Sequence, residues 1–206
     1  NVAGLVGHAA IRYYVMGDRS FAEAATDDEK QQMAEIVSKA LDRGAFGFST
    51  NRYEPHKAPD GRSIPGTYAE VTELEKIASV VGPKNGLMQL VGAGFDVIEK
   101  VADTSSNRIL FSYGTSPEEG AGQRSAAALD ELCKGRDITA ISHVRGSGFM
   151  FGLQSRMPVQ GDTWEEVRQL DLAGRLAAIN DAETAQKLVD EAKLPKASQL
   201  PWGNVF

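Results

Sequence analysis

The amino-acid sequence predicts an α/β fold, a partial (β/α) TIM-type barrel with about five parallel strands that alternate with helices. Short apolar, β-prone runs recur over the first 146 residues, and segments with helical spacing of apolar residues separate them. The expected strand starts fall near residues 2, 45, 86, 108 and 138. Units of this length fit a barrel better than a doubly wound sheet. Because five strands cannot close an eight-stranded barrel, we expect further barrel segments on both sides of this chain.

The first β/α units are bounded by turn and capping residues. A strand is predicted over the apolar run Val2–Val6, which ends at Gly7-His8. Thr26 and Glu29 have capping-box spacing, so a helix is expected to begin there. Gly44 stands where a glycine ends a helix, and the second strand follows as Ala45–Thr50.

The later units follow the same rules. Thr67 and Glu70 again have capping-box spacing, and the apolar stripe from Val71 to Val81 predicts a helix that Gly82-Pro83 ends. The further predicted strands are Gly86–Val91, Arg108–Tyr113 and Asp137–Ser142, and the predicted helices between them are Asp96–Asp103 and Gly122–Lys134.

After Gly146 the alternation stops. Short helices are predicted over Trp164–Leu170 and Leu172–Ile179, then a longer one over Asp181–Ala192, before an irregular tail. We therefore expect one partial-barrel domain over residues 1–206. Its β/α units occupy 1–146, and a mostly helical extension with the tail occupies 147–206.

Composition excludes several classes of function. The chain has 206 residues and a net charge of −6, so we expect no nucleic-acid partner, because no basic stripe is available to neutralise phosphates. The one cysteine, Cys133, suits a reducing compartment, and we expect a cytoplasmic protein. No apolar run approaches the roughly 20 residues of a membrane span, so we expect no membrane contact. The first residues lack an initiator Met, which suggests a piece of a longer chain.

Histidines and arginines follow several predicted strands. His8 and His143 each come directly after a strand, where a barrel collects its working groups. Such a histidine can bind metal or move protons, or it can simply hydrogen-bond a loop carbonyl. Arg12, Arg52 and Arg145 also follow strand ends, and a guanidinium recognises a carboxylate by paired hydrogen bonds. Each of these arginines could equally be a solvated charge or a structural ion pair.

The stretch Gly44–Glu70 joins the second strand to a long polar loop. The strand ends in Ser49 and Thr50, whose hydroxyls could contact a ligand or cap a turn. The loop then carries Arg52 and His56, and Pro65-Gly66 closes it. A strand that leads into a polar loop before a helix is how α/β enzymes build active sites, so we expect Arg52 and His56 to contact a substrate. The alternative is a solvated surface loop.

Known cofactor motifs are missing. Gly92-Ala93-Gly94 does not begin a dinucleotide fingerprint, because Val97 occupies the place of the third glycine. No GK[ST], HxH, HExxH or CxxC motif occurs either. A nucleotide-dependent enzyme is therefore not favoured, and this chain alone encodes no recognisable metal site.

Four stretches together resemble a known family. They are NVAGLVGHAAIRYYVMG, EKQQMAEIVSKALDRGAFGFST, RYEPHKAPDGRSIPGTYAE and GFMFGLQS. In this order they resemble the amidohydrolase-3 group, which contains D-aminoacylases and N-acyl-D-amino-acid deacylases. The resemblance implies a metal-dependent hydrolase with a (β/α) barrel and a small β-domain built from the chain ends. In such enzymes a metal-bound water attacks an amide carbonyl, and an aspartate moves the proton.

The chain also departs from this family. The resemblance places the HxH of the first barrel strand before Asn1 and the catalytic aspartate after Phe206. In the deacylases, the two strands after the GFST-type strand each end in a metal-binding histidine. Here Gln89 and either Ser112 or Tyr113 stand at the approximate places, and these are poor zinc ligands. The resemblance thus leaves open one metal rather than two, or none.

These observations lead to one main interpretation and one alternative. The main one is the central part of a metal-dependent amidohydrolase-like enzyme that hydrolyses the amide C–N bond of an N-acyl amino acid or related small molecule, with zinc the expected divalent metal. The alternative is a non-catalytic or metal-free barrel relative that acts as a small-molecule binding or structural module.

No catalytic or metal-binding residue is assigned. An incomplete barrel should also self-associate or contact the missing segments. The expected substrate-binding residues are His8, Arg12, Ser49, Arg52, His56, His143 and Arg145.

Overall fold

The computed structural model describes residues 2–114, 119–142, 152–154, 157 and 159–194. Strands and helices alternate along its first part, as the sequence predicts. The strands are β1 Leu5–Gly7, β2 Gly47–Asn51, β3 Leu87–Val91, β4 Arg108–Ser112 and β5 Ile138–Ile141. The helices that follow them are α1 His8–Met16, α2 Asp27–Asp42, α3 Val71–Val81, α4 Phe95–Asp103 and α5 Ala121–Cys133. Three more helices come later, α6 Asp162–Arg168, α7 Leu172–Asn180 and α8 Ala182–Ala192.

The five strands form one parallel sheet in the order β1-β2-β3-β4-β5. Each strand therefore pairs with the next one along the chain. In a doubly wound sheet the order reverses at a switch point, whereas a (β/α) barrel adds its strands in sequence. The order thus confirms the predicted fold class, an arc of a TIM-type barrel.

One face of the sheet forms the core. Phe48, Met88 and Leu90 are fully buried, and the apolar sides of α2 and α3 join them in one cluster. Burying each such side chain stabilises the fold by about 1.5–3 kcal/mol. The alternate residues point to the other face of the sheet. Ser49, Gln89, Leu110 and Thr139 lie there in register across four strands.

The capping prediction for α2 is confirmed. The Thr26 hydroxyl accepts the backbone N–H of Glu29, and the Glu29 carboxylate accepts the backbone N–H of Thr26. Gly44 follows the helix with φ of +98°, a left-handed conformation that favours glycine.

The capping prediction for α3 is wrong. This helix begins at Val71, with Glu70 as its N-cap residue. Thr67 instead donates its hydroxyl to the Ile64 carbonyl at 2.9 Å. Thr67 thus belongs to the Pro65-Gly66 turn and lies three residues before the N-cap position of the helix.

Helix α1 is absent from the sequence-based prediction. The chain passes directly from β1 into this helix at His8, with Gly7 as an N-cap residue that makes no side-chain cap. Without a capping side chain, the sequence carries no start signal at this point.

The chain divides into two compact units, Asn1–Val144 and Arg145–Phe206. In the second unit, Met157, Val167 and Leu188 form a small core. The Asp171 carboxylate accepts the backbone N–H of Gly174 and caps α7, and the Asp181 carboxylate accepts that of Thr184 and caps α8. The expectation of a single domain stays a prediction. No helix in the described part of the chain is long and apolar enough to cross a membrane.

Candidate substrate-binding site

Residues 52–70, which we call the rim loop, connect β2 to α3 at the carboxyl end of the sheet. Two hydrogen bonds from Arg52 fix the base of this loop. Its backbone N–H donates to the Val91 carbonyl at 2.7 Å, and its Nη1 donates to the Ala69 carbonyl at 2.6 Å. Farther out, a bridge between Lys57 and Ser63 folds the loop into a small hairpin. The loop is thus held by the sheet at its base, and at its tip by the hairpin and by the Arg62 guanidinium, which lies 3.7 Å from the centre of the Phe21 ring.

Arg52 combines partial burial with an incomplete set of partners. Burial lowers the pKa of its guanidinium from the ordinary value, although the charges of Asp96 and Glu73 act in the opposite direction. Among the described residues, its side chain bonds the Ala69 carbonyl and pairs with no carboxylate. A half-buried cation without an anionic partner favours the binding of an anion.

Asn51 and His56, which are close to Arg52 in sequence, form a second set of polar contacts. Asn51 accepts the backbone N–H of Tyr53 through Oδ1 at 2.8 Å, and its Nδ2 contacts Nδ1 of His56. The Tyr53 and His56 rings pack edge to face, with centroids 5.1 Å apart. His56 is exposed, so its other ring nitrogen is available at the surface of the loop.

Ser49 lies on the face of the sheet away from the core. Its hydroxyl donates to Oε1 of Gln89 at 2.9 Å, across neighbouring positions of β2 and β3. Both side chains are half-buried. Ser49 therefore lies on the face that forms the interior of a closed barrel.

His8 and Arg12 lie beneath the rim loop, in a buried network with Glu73. Nε2 of His8 is 2.6 Å from Oε1 of Glu73, and Nε of Arg12 is 3.0 Å from the same oxygen. His8 is 2% exposed, Arg12 3% and Glu73 1%, so the network excludes water. Burial raises the pKa of the Glu73 carboxyl, but the hydrogen bond and charge of His8 and the charge of Arg12 outweigh it, and the net shift is downward.

The other polar atoms of this network are also used. Nδ1 of His8 is 2.8 Å from the Thr50 hydroxyl, and Arg12 donates to the carbonyls of Ser20 and Glu23. His8 and Arg12 thus join α1, β2 and α3 rather than line the surface. Their hydrogen bonds form a different set from those that the described part of the chain gives to Arg52 and His56.

The sequence analysis missed Glu73. It stands four residues before Ile77, on the same helical stripe as the buried apolar residues of α3. A carboxylate inside an apolar stripe requires a buried partner, because an unpaired buried charge is strongly destabilising. This exception to the pattern was a signal that could have identified the network.

The described residues do not fit a metal centre. No group of three or more His, Cys, Asp or Glu side chains within them is placed to hold an ion. Gln89 bonds Ser49, Ser112 is exposed, and the Tyr113 hydroxyl donates to the Ser125 carbonyl at 3.1 Å. His143 and Arg145 lie outside the described residues, so their predicted contacts stay predictions.

The parallel strands in sequential order, with the polar rim loop at their carboxyl ends, have the architecture of a part of a (β/α) barrel. A solved D-aminoacylase structure, described for its binuclear metal centre, matches with a TM-score of 0.55 and 21% identity, over 69% of this chain and 30% of that one. No family model matches.

Two proteins of Alcaligenes xylosoxydans xylosoxydans are similar in sequence. N-acyl-D-aspartate deacylase is 46% identical over 55 residues, which are 27% of this chain and 11% of that protein. N-acyl-D-glutamate deacylase is 36% identical over 88 residues, which are 42% of this chain and 16% of that protein. The matches span only a small part of these relatives, but they confirm the predicted resemblance: the chain is similar in sequence to N-acyl-D-amino-acid deacylases and in fold to a D-aminoacylase.

Proposed function

We propose that this chain is part of a metal-dependent amidohydrolase that cleaves the amide C–N bond of an N-acyl amino acid. The similarity to two deacylases of acidic N-acyl-D-amino acids carries this proposal. The barrel-type strand order supports it, because it brings the ends of successive strands to one rim. These matches favour a hydrolase over a non-catalytic module.

In this proposal, the described residues recognise the substrate and do not bind the metal. Arg52 binds a substrate carboxylate, since its half-buried guanidinium has no described anionic partner. His56 and Ser49 offer hydrogen bonds to other substrate oxygens, whereas His8 and Arg12 support the rim from below. The divalent metal, for which we expect zinc, requires ligands from outside the described residues. A cytoplasmic location also stays a prediction.

The test uses the protein expressed from its complete open reading frame. Stoichiometric divalent metal and hydrolysis of N-acetyl-D-glutamate or N-acetyl-D-aspartate are the expected results, and a chelator should abolish the hydrolysis. N-acetyl-D-leucine serves as the comparison substrate with an uncharged side chain. Binding without turnover, or a protein free of metal, would overturn the proposal.

Arg52→Met tests the carboxylate contact. Loss of a charge-assisted hydrogen bond should raise KM about 10- to 100-fold. Arg43→Met is the matched control, because Arg43 is exposed at the C-terminal end of α2, before β2 begins. If the KM of Arg52→Met increases for all three substrates, Arg52 binds the α-carboxylate. If it increases only for N-acetyl-D-glutamate and N-acetyl-D-aspartate, Arg52 binds the side-chain carboxylate. Equal KM values for Arg52→Met and Arg43→Met would refute the contact.

A further inference from the structure

The side chain of Asn51 is held at both of its polar atoms. Oδ1 accepts the backbone N–H of Tyr53 at 2.8 Å, and Nδ2 contacts Nδ1 of His56. A backbone N–H can only donate, so the atom that faces Tyr53 must be the oxygen. This requirement fixes the orientation of the amide, and it leaves the NH₂ group facing His56.

The orientation of Asn51 determines which nitrogen of His56 carries the proton. An amide NH₂ group can only donate, so Nδ1 of His56 must accept. A neutral imidazole has one donor and one acceptor, and its proton therefore lies on Nε2. Any form with a proton on Nδ1 would place two donors against each other.

The Nε2–H group of His56 is then a donor of fixed position. The Tyr53 ring packs edge to face against the imidazole and limits its rotation. Within the part of the chain that the structure describes, Nε2 has no hydrogen-bond partner, and the side chain is exposed at the rim. Because Asn51 and Tyr53 fix the orientation of the ring while its Nε2–H group is exposed, this donor is suited to bind an oxygen of a ligand.

We infer that Asn51 is a positioning residue that holds His56 as a neutral Nε2–H donor toward a carboxylate or amide oxygen of the substrate. The identity of the ligand rests on the proposed function, but the protonation state of the ring does not. Asn51 contacts no substrate in this arrangement, and it acts through His56.

Nuclear magnetic resonance of ¹⁵N-histidine-labelled protein tests the protonation state directly. Spectra of the complete protein are recorded at pH about 8, above the ordinary titration range of imidazole. His56→Gln assigns the His56 signals by their disappearance. In the wild type, Nδ1 of His56 should be unprotonated and Nε2 protonated.

Asn51→Asp reverses the polarity of the contact with almost no change of shape. One carboxylate oxygen still accepts the Tyr53 N–H, and the other now faces Nδ1 as an acceptor, so Nδ1 should become protonated. Asn85→Asp adds the same charge at the opposite end of the sheet, before β3 begins, and should leave the His56 signals unchanged. A protonated Nδ1 in the wild type, or no change in Asn51→Asp, would overturn the inference.

A kinetic cycle separates this inference from the proposed function. If Asn51 acts through His56, Asn51→Leu and His56→Leu each raise KM by about 2- to 10-fold, the loss expected for one neutral hydrogen bond. The double variant should show no further increase, whereas fully additive effects would contradict a shared role. A protein with the expected ring protonation and no hydrolysis overturns the proposed function alone.

Discussion

Replacing Glu73 with glutamine should destabilise the fold far more than a typical surface charge change. The Glu73 carboxylate is 1% exposed, and its Oε1 lies 2.6 Å from Nε2 of His8 and 3.0 Å from Nε of Arg12. Glutamine keeps the shape but removes the negative charge, which leaves the Arg12 guanidinium buried without its counter-ion. Breaking one partner of a buried pair costs about 3–5 kcal/mol. That cost is at least a fifth of the roughly 5–15 kcal/mol that typically stabilises a domain.

Urea unfolding of Glu73→Gln and Glu70→Gln provides a matched measurement. Glu70 lies three residues earlier and pairs with Lys30, but its side chain is 55% exposed. An exposed pair contributes about 0–1 kcal/mol, so Glu70→Gln should change the free energy of unfolding by no more than this. A loss below about 1 kcal/mol in Glu73→Gln, equal to that of the control, would refute the role assigned to the buried network.

The difference in unfolding free energy between the wild type and Glu73→Gln should depend on pH. The pKa of Glu73 is lower in the folded state than its ordinary value of 4.5. Its ionisation therefore stabilises the fold above pH 4.5, and this contribution is lost as the pH falls through the folded-state pKa. The stability gap between wild type and Glu73→Gln should be full at neutral pH and should shrink below pH 4.5. A gap that grows on acidification would contradict the argument.

Three further substitutions test local structure. Gly66 has φ of +94°, and a Cβ there would lie 2.6 Å from Nδ1 of His8, whereas Gly61 has φ of +85° and open space around it. Gly61→Ala should cost about 1–2 kcal/mol of backbone strain. Gly66→Ala should cost about 1–3 kcal/mol more, because its Cβ would also collide with His8. Equal losses of unfolding free energy in urea would show that His8 does not contact this turn. Thr26→Ala should lower the free energy of unfolding by about 1 kcal/mol through loss of the capping box, and an unchanged thermal midpoint would refute that contribution.

The alternation of strands and helices could be predicted because it depends on local patterns. Apolar runs and helical stripes located all five strands, with ends shifted by a few residues, and Thr26 marked the start of α2. These local patterns do not determine the order of the strands in the sheet. The length of the β/α units nevertheless favoured a barrel, in which successive strands pair, and the structure shows this order.

The buried network could not be predicted in the same way. Its members His8 and Glu73 are 65 residues apart, and their contact depends on how α1 and α3 pack on the sheet. Position after a strand led us to expect His8 to contact a substrate, but the chain turns into α1 there and the ring is buried. The capping prediction for Thr67 failed because α3 begins later than expected, at Val71, so that Glu70 and not Thr67 is the N-cap residue.

The rim loop has consequences for how this protein can vary between species. Its base is tied to the scaffold, through Arg52 to β3 and through the close approach of Gly66 to His8. The hairpin over residues 57–63 has its own hydrogen bonds, and Arg62 alone connects it to the scaffold among the described contacts of this hairpin, through the Phe21 ring. Insertions and replacements in this outer part that keep Arg62 therefore leave the sheet and core undisturbed, whereas changes at the base do not. Natural selection can thus alter the outer segment independently of the framework that carries it.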